Sequence, residues 1–364
     1  MTSITVPCDG PVAVTGASGF VGSHIVKSLV QQGYDVRACV RDTRRQDKTF
    51  YLKDMNKRGP GQVQIFACDL LEAQHGIYDE PFSGCTGIFH AAAAMGTDTE
   101  NYVPPTPLEM YESILDMTRG VLRSCASTGT VKRVIYTSSA AAIYGPTGTE
   151  RRDDFVYSED HWSGGTYETL EERHTNQDGE MVWTNEKRAY AKGKVDAEKL
   201  GCAFGDKHGI DFITICPSNV LGPLLGKSHN NLWQYRLGVS LSGKNEIEMN
   251  APLVAWNIVD VRDVAQAHRL ALESVVSCNG SRYCLTAKDE SAEISMHNLL
   301  DLLQEMFPKH NVCGGYRPNP AEMYHRCRCT KAIKELGIKP REVRDTLRDT
   351  GISLIELGCV PDVS

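Results

Sequence analysis

The segment that most constrains the fold is PVAVTGASGFVGSHIVKSLVQQG, at positions 11–33. Its apolar start has the character of a strand covered on both faces, and apolar side chains then recur at helical spacing. Gly16, Gly19 and Gly22 lie in the turn between them, spaced G-x-x-G-x-x-G. Such glycines permit a tight turn, a close approach of backbone to phosphate, and close packing of helix on strand. The segment therefore predicts a nucleotide pyrophosphate site.

The predicted site includes the residues between these glycines, because the N–H groups and the dipole of a helix start attract anions. Ser18, Phe20 and Val21 are its further candidate contacts. Glycines at this spacing also occur in turns that are tight for steric reasons alone. The strand before the turn and the helix after it favour the binding site.

Strand and helix patterns alternate from position 11 to about 216, which predicts a doubly wound Rossmann-type α/β fold with a parallel sheet. We place this dinucleotide-binding domain at 1–216, with a polar insertion at about 146–188. A smaller mixed α/β region at 217–364 is expected to be mainly substrate-binding, with about 255–275 returning to the Rossmann sheet. The periodicity of 106–127 predicts a core helix.

Composition excludes several classes of partner. The 364 residues include 39 Lys and Arg against 46 Asp and Glu, which gives no basic stripe for nucleic acid or anionic lipid. No segment approaches the ~20 apolar residues of a membrane helix, and the first residues lack a signal-peptide pattern. We therefore expect a cytoplasmic protein, a monomer or homodimer, that binds neither nucleic acid nor membrane.

The 13 cysteines lack the spacing of a zinc site, so no metal is predicted. Most are expected to be buried as small hydrophobic residues. Cys327 and Cys329 are the one close pair, for which ordinary packing and a redox or disulfide role both remain open.

The residue after the second predicted strand indicates the cofactor. This strand ends at Arg41, 25 residues after Gly16, where the chain should reach the adenosine ribose. An acidic residue there would bind the two ribose hydroxyls, whereas arginine offers a planar fork of donors to a 2′-phosphate. Arg41 therefore favours NADP. Lys48 is a second candidate contact of the phosphate. Arg44 and Arg45 could touch phosphate or lie on a solvated surface, and Asp42 is expected to be a capping or turn residue.

Two further strand ends supply candidate cofactor contacts. Asp69 and Leu70 follow the third strand at the edge where open sheets bind ligands. Asp69 could hold the adenine amine or cap the following segment. The fourth strand ends in small residues, Ala91, Ala92 and Ala93, which would allow close approach to the cofactor.

Candidate catalytic residues follow the fifth strand, which delivers Ser138 and Ser139 to the same edge. After the polar insertion, Tyr190 opens a helical run, and Lys194 lies four residues later on the same face. A phenol can donate a proton, and a hydroxyl group can hold a developing oxyanion. A cation beside a phenol stabilises the phenolate, so we expect Lys194 to lower the pKa of Tyr190.

Three motifs, TGASGFVG (15–22), TSSAAAIYG (137–145) and YAKGK (190–194), resemble those of the extended short-chain dehydrogenase/reductase family. The chain looks most similar to its dihydroflavonol reductase and cinnamoyl-CoA reductase branch, through VRD (40–42), GIFHAAA (87–93), VLRSCA (121–126) and ICPSNVLGP (215–223). Segments 257–273, 281–285 and 331–358 extend the resemblance over most of the chain.

The resemblance implies an NADPH-dependent oxidoreductase acting on CH-OH or carbonyl groups. It implies that Tyr190 supplies the proton, that Lys194 binds the nicotinamide ribose and that Ser139 holds the substrate oxygen. The implied nicotinamide pocket is lined by Thr137, Pro217, Ser218 and Val220, although Pro217 could also simply terminate a strand.

Two departures from the family concern the substrate. Cinnamoyl-CoA reductases usually carry NWYCYGK around the catalytic tyrosine, whereas this chain has EKRAYAKGK, which weakens the case for a phenylpropanoyl-CoA substrate. The 50 positions between Ser139 and Tyr190 also exceed what most relatives carry, mainly over 164–186. This stretch could be a cover over the cleft or a solvated excursion.

The segment after Pro223 is expected to form much of the substrate wall. Its candidate apolar contacts, each of which could equally belong to the core, are Trp233, Tyr235, Leu237 and Met249. Four functions remain open. The first is an NADPH-dependent reductase of an aldehyde or ketone on a medium-sized molecule, including aromatic ones. The others are an NAD-dependent nucleotide-sugar epimerase or dehydratase, a 3β-hydroxysteroid-type dehydrogenase, and a non-catalytic dinucleotide sensor.

Overall fold

The computed structural model describes residues 6–57, 59–92, 105–144, 156–163, 173–175, 181–183, 186–244, 256–288, 293–316 and 326–361. The strands in these ranges are β1 (Val12–Thr15), β2 (Val36–Val40), β3 (Val63–Ala67), β4 (Gly87–His90), β5 (Arg133–Thr137), β6 (Val156–Tyr157), β7 (Arg173–Thr175), β8 (Met181–Trp183), β9 (Asp211–Pro217), β10 (Asn219–Leu221), β11 (Trp256–Asp260), β12 (Arg282–Leu285), β13 (Glu293–Ile294) and β14 (Arg326–Cys327). The α-helices are α1 (Phe20–Gln31), α2 (Phe50–Met55), α3 (Asp79–Phe82), α4 (Pro107–Thr128), α5 (Glu186–His208), α6 (Leu232–Leu241), α7 (Val261–Glu273), α8 (Met296–Met306) and α9 (Val343–Glu356).

Seven parallel strands form the central sheet in the order β12-β9-β5-β4-β1-β2-β3. From β1 the chain winds first through β2 and β3, and then crosses to β4 on the other side of β1. The direction of winding therefore reverses between β1 and β4, which opens a crevice at the carboxyl ends of these strands. The predicted doubly wound α/β fold is confirmed.

The sequence predicts that residues 255–275 return to the central sheet, but their strand belongs to another sheet. Strand β11 pairs with β10 and β13 in a separate three-stranded sheet, and only α7, which follows it, packs on the central sheet. The seventh central strand is β12, whose Tyr283, Cys284 and Leu285 are completely buried. A strand buried on both faces suits a parallel sheet. We retain the division near 216 as a proposal, with α7 and β12 added to the first domain.

Two apolar cores cover the two faces of the central sheet, as the alternation of side chains along a strand requires. Val14 of β1 packs in one core with Ile25 and Leu29 of α1 and with α7. Its neighbour Ala13 packs in the other with side chains of α3, α4 and α5. A third core belongs to the C-terminal region and includes α6, α8 and α9.

The predicted core helix at 106–127 is present as α4. Thr106 caps its start, because the Thr106 hydroxyl accepts from the Glu109 N–H (3.2 Å) and the Glu109 carboxylate accepts from the Thr106 N–H (2.8 Å). Gly129 ends it in the left-handed region, at φ 66°. Gly193 of α5 lets α4 approach closely, since a Cβ there would lie 2.8 Å from Ile114 Cδ1. Helix α4 thus supports the helix that carries Tyr190 and Lys194.

The described part of the insertion contains three short strands, β6, β7 and β8. β6 pairs with β14 in parallel, and β7 and β8 form an antiparallel pair. The remainder of 164–186, apart from β7, β8 and the start of α5, lies outside the described residues. Helix α5 begins at Glu186, one turn before Tyr190, where the sequence placed its start. None of the described helices combines the length and apolar character needed to cross a bilayer.

Candidate active site

The glycine turn joins β1 to α1 at the crevice. Neighbouring backbone atoms lie so close to Gly16 and Gly22 that a side chain there would clash with them. Gly16 has φ 64°, and a Cβ on it would lie 2.8 Å from Ala92 Cα. A Cβ on Gly22 would lie 2.2 Å from the Gly16 carbonyl oxygen, so only glycine lets α1 pack on the turn. Gly19 precedes α1, whose first N–H groups, on Phe20, Val21 and Gly22, lie at the helix start. This geometry fits a pyrophosphate.

A cleft beside β2 and β3 is lined by Arg41, Asp42, Thr43, Arg44, Ala67 and Asp69, with a volume of about 440 Å³. Arg41 Nε lies 3.8 Å from Asp69 Oδ1, and both side chains are partly exposed. Asp69 also accepts a hydrogen bond from the Leu71 N–H (3.1 Å). It therefore caps the next turn, which is one of the two roles predicted for it. The buried Leu70 packs beneath it.

Two other basic residues of this loop, Arg44 and Arg45, pair with neighbouring carboxylates. Arg44 Nε donates to Asp42 Oδ1 at 2.9 Å, which lowers the pKa of Asp42 to about 2, and Asp42 also accepts from the Arg44 N–H. Arg45 Nε donates to Asp47 Oδ1 at 3.0 Å. Asp42 therefore has the predicted turn role. Lys48 lies in the short turn at 46–48.

The end of β4 approaches the glycine turn. Ala92 N–H donates to Thr15 Oγ1 at 3.3 Å, and Thr15 Oγ1 lies 2.9 Å from His90 Nδ1. Ala91 is half-buried and packs against the first core. Ala93 lies outside the described residues.

Ser139 and Tyr190 meet at the carboxyl end of β5. Ser139 follows β5, and its Oγ accepts from the Ala141 N–H at 3.1 Å, which fixes the side chain at the start of the 140–142 turn. The Ser139 hydroxyl also hydrogen-bonds the Tyr190 phenol, a contact that lowers the pKa of Tyr190. Both side chains are half-buried. An acceptor oxygen of a ligand placed here could receive hydrogen bonds from both hydroxyl groups.

Lys194 lies one helical turn after Tyr190 and is buried. Its Nζ donates to the Thr137 carbonyl (2.9 Å) and to the Tyr136 hydroxyl (3.1 Å), and lies 5.8 Å from the centre of the Tyr190 ring. Burial lowers the pKa of Lys194 to about 8, and the nearby Glu198 carboxylate opposes this shift.

The expected depression of the Tyr190 pKa is not seen. Burial raises the pKa of Tyr190, and this cause outweighs the hydrogen bond from Ser139. Lys194 is not among the causes, since its ammonium is directed at the Thr137 carbonyl and the Tyr136 hydroxyl. The four-residue spacing places both residues on one face of α5, whereas the direction of the ammonium depends on its acceptors on β5.

The predicted nicotinamide pocket residues lie at the ends of β5 and β9. Thr137 Oγ1 lies 2.7 Å from Nε2 of His268 on α7, and His268 Nδ1 lies 2.8 Å from the Val264 carbonyl. Pro217 ends β9, as its strand-terminator reading required. Ser218 is buried, and its hydroxyl has no hydrogen-bond partner among the described residues. An unsatisfied buried hydroxyl is costly, so Ser218 fits a pocket that receives a polar ligand. Val220 follows on β10.

The candidate substrate-wall residues divide between core and surface. Leu237 is completely buried in the C-terminal core, and Trp233 packs against that core with Arg236 5.0 Å from its ring centre. Tyr235 is 53% exposed. Met249 lies outside the described residues. Leu237 thus belongs to the core, the alternative that the sequence left open.

Cys327 and Cys329 point into different clusters. Cys327 packs with Cys216 and Cys284, whereas Cys329 packs in the first core of the central sheet. This arrangement favours ordinary packing over pairing of the two thiols.

Sequence reasoning missed a buried ion pair behind Lys194. Glu198 is completely buried, and it accepts from Arg282 Nε at 2.6 Å and from the Ser138 hydroxyl. The Arg282 guanidinium also stacks 3.6 Å from the centre of the Trp162 ring. Glu198 lies four residues after Lys194, so the same spacing rule that linked Tyr190 to Lys194 could have found it. Arg282 had no such local signal.

Comparisons with known proteins agree on one family. Residues 12–283 match the model of the NAD dependent epimerase/dehydratase family. The chain is similar to dihydroflavonol 4-reductase of Hordeum vulgare, with 31% identity over 97% of this chain and 92% of that protein. It is also similar to a cinnamoyl-CoA reductase of Medicago truncatula, with 30% identity over 95% of each chain.

Solved structures show the same fold. Yeast methylglyoxal/isovaleraldehyde reductase, in complex with NADPH, superposes with a TM-score of 0.76 at 23% identity, over 96% of this chain and 100% of that one. Vestitone reductase from alfalfa (Medicago sativa) gives a TM-score of 0.72 at 25% identity, over 96% and 99%.

Proposed function

The chain belongs to the NAD dependent epimerase/dehydratase family, within the extended short-chain dehydrogenases/reductases, and from this premise we propose that it reduces an aldehyde or ketone with NADPH. The proposed substrate is a medium-sized molecule, and aromatic carbonyl compounds are included. The observation that carries the proposal is the contact between Ser139 and Tyr190, with Lys194 one turn away, at the crevice beside the glycine turn. Reductases among the relatives support it.

Each residue of the proposed site has a task that its position supports. The glycine turn and the first turn of α1 bind the cofactor pyrophosphate, and Arg41 binds the 2′-phosphate. Thr137, Pro217, Ser218 and Val220 border the nicotinamide, and Lys194 binds its ribose. When bound, the reduced nicotinamide supplies the hydride.

Ser139 and Tyr190 act on the substrate oxygen in this proposal. Ser139 donates a hydrogen bond that orients the carbonyl and stabilises the negative charge as it develops. Tyr190 transfers its phenolic proton to that oxygen, which completes the alcohol once the carbonyl carbon has received the hydride. Because Tyr190 has a raised pKa, it holds its proton at neutral pH and acts as the acid.

A second candidate is a nucleotide-sugar epimerase or dehydratase that uses tightly held NAD, as the family description allows. A 3β-hydroxysteroid-type dehydrogenase of the same fold is a third. Arg41 distinguishes the first proposal from the epimerase, because a guanidinium at the ribose favours a 2′-phosphate.

The test is a screen of aldehydes and ketones for oxidation of NADPH, followed at ~340 nm, where the reduced nicotinamide absorbs. Tyr190→Phe is the matched control, since it removes the proton donor and keeps the ring. We expect turnover with the unmodified protein and little with the variant. Equal rates for the two proteins, or NAD that co-purifies with the chain, would contradict the reductase proposal.

A further inference from the structure

A directed chain of hydrogen bonds joins the C-terminal region to the glycine turn. The Leu225 N–H donates to Nδ1 of His229 at 3.3 Å. Nε2 of His229 lies 2.8 Å from the Tyr51 hydroxyl and 3.3 Å from the Ser18 carbonyl oxygen. The Tyr51 hydroxyl donates to the Ser18 carbonyl at 2.6 Å. Ser18 lies between Gly16 and Gly19, so the chain ends inside the predicted pyrophosphate site.

The direction of every bond follows from the donors present. Nδ1 accepts from a backbone N–H, so the proton of a neutral His229 is on Nε2, which must donate. Burial lowers the pKa of His229 to about 4, so the ring is neutral at pH 7. The Tyr51 oxygen therefore accepts a hydrogen bond from Nε2–H of His229, and the Tyr51 hydroxyl donates a hydrogen bond to the Ser18 carbonyl.

The chain is enclosed by close packing. His229 is completely buried and Tyr51 is 6% exposed. The rings of Tyr51 and Phe20 lie 4.8 and 5.8 Å from that of His229. A Cβ on Gly226 would lie 3.2 Å from the Tyr51 ring, so the backbone of the 223–229 segment approaches Tyr51 closely. His24 of α1 holds the same segment, with Nε2 2.9 Å from the Pro223 carbonyl.

We propose that Tyr51 and His229 are positioning residues for cofactor binding, acting through the carbonyl of Ser18. A carbonyl oxygen that rotated toward the pyrophosphate would repel it. The Tyr51 hydroxyl and Nε2 of His229 hold this oxygen, so the N–H groups of the α1 start remain directed at the anion. The segment 223–229, which follows the predicted nicotinamide contacts, thereby supports the phosphate end of the site as well.

The inference rests on the proposed function only in taking NADPH as the ligand. Its test is the dissociation constant of NADPH, measured by calorimetric titration of the full-length protein without a carbonyl substrate. We expect Tyr51→Phe and His229→Leu each to weaken NADPH binding about three- to tenfold, the effect of one lost hydrogen bond. Because both side chains contact the Ser18 carbonyl oxygen and each other, the double variant should bind NADPH no more tightly than either single variant.

Two further variants separate positioning from general loosening. Tyr34→Phe removes another buried tyrosine hydroxyl, which donates to Glu273 at 3.0 Å, away from the glycine turn. It should leave NADPH binding unchanged. His229→Gln keeps an amide donor and an acceptor, and it should bind NADPH more tightly than His229→Leu.

Two results would overturn the inference: unchanged NADPH binding by Tyr51→Phe, or an equal loss of NADPH binding in Tyr34→Phe. If the unmodified protein itself fails to bind NADPH, the proposed function fails together with the inference. If it binds NADPH but the Tyr51 and His229 variants bind equally well, only the inference fails.

Discussion

Arg41 is the residue on which the choice between the two dinucleotides depends. It directly follows β2 in a cleft shared with Asp69, and its side chain is about half exposed. We expect Arg41→Asp to weaken use of NADPH about ten- to a hundredfold in kcat/KM and to improve use of NADH, because the carboxylate repels a 2′-phosphate and accepts from ribose hydroxyls.

Steady-state kinetics with both cofactors check this prediction, and Arg45→Asp is the matched control. Arg45 lies in the same loop but pairs with Asp47, so the same change of charge there should affect NADPH less. Equal losses with NADPH and NADH in Arg41→Asp would indicate a structural arginine.

Tyr190 is expected to matter for the chemical step and little for binding. Tyr190→Phe should lower kcat about a hundred- to ten-thousandfold, the usual contribution of a positioned acid, while NADPH affinity stays nearly constant. Lys194→Ala should lower both kcat and NADPH affinity, because Lys194 contacts Thr137 and Tyr136 and is proposed to bind the ribose. Near-normal kcat in Tyr190→Phe would require another proton donor.

Glu198 gives the site a predicted pH dependence. Burial lowers the pKa of Lys194 to about 8, and the Glu198 carboxylate counteracts that shift. Glu198→Gln removes the counteracting charge, so Lys194 should lose its proton at a lower pH. Activity that needs the ammonium would then decline at lower pH than in the unmodified protein.

The measurement is kcat/KM between pH 6 and 10. Asp196→Asn is the control, because Asp196 lies on the same helix but pairs with Lys192. The basic limb should move to lower pH in Glu198→Gln and stay in place in Asp196→Asn. An unmoved limb in both variants would show that Lys194 does not govern it.

At the scale of elements, the insertion is held at its start by the central sheet. Arg282 of β12 donates to the carbonyls of Glu159 and His161 and stacks on Trp162, while β6 pairs with β14. Residues 156–163 are therefore docked beside the Glu198 ion pair that lies behind Lys194. This docking supports the hypothesis that the following stretch, 164–186, helps to select the substrate.

We expect replacement of this stretch by a short Gly/Ser bridge, with α5 kept from Tyr190 onward, to leave NADPH binding intact. It should raise KM or broaden the range of accepted carbonyl compounds, because a cover over the cleft would be lost. Kinetics with substrates of several sizes check this. Unchanged kinetics for all of them would support the alternative, a solvated excursion.

At the scale of the whole molecule, the cofactor should act as a stabilising ligand. The proposed contacts come from the glycine turn, α1, β2, β5, α5 and the segment after β9, which fold together only in the native state. A ligand at about 100 times its Kd stabilises by ~2.7 kcal/mol, which for a chain of this length corresponds to an increase in Tm of about 3–4 °C.

Thermal unfolding with NADPH, and with NADH at the same concentration, checks this expectation. NADPH should raise Tm more, because only it offers a 2′-phosphate to Arg41. Equal increases would contradict the proposed cofactor preference, and no increase with either would contradict the proposed site.

The sequence by itself determined the local features: the alternating elements, the glycine turn and the Tyr190–Lys194 pair. Each of these arises from spacings of a few residues, which fix helical faces and strand ends. Only the tertiary structure decided that β12 completes the central sheet, that Arg282 pairs with Glu198, and that His229 reaches Tyr51. These last partners are separated by 84 and 178 positions. Contacts at such separations depend on how strands and helices pack, so no local pattern specifies them.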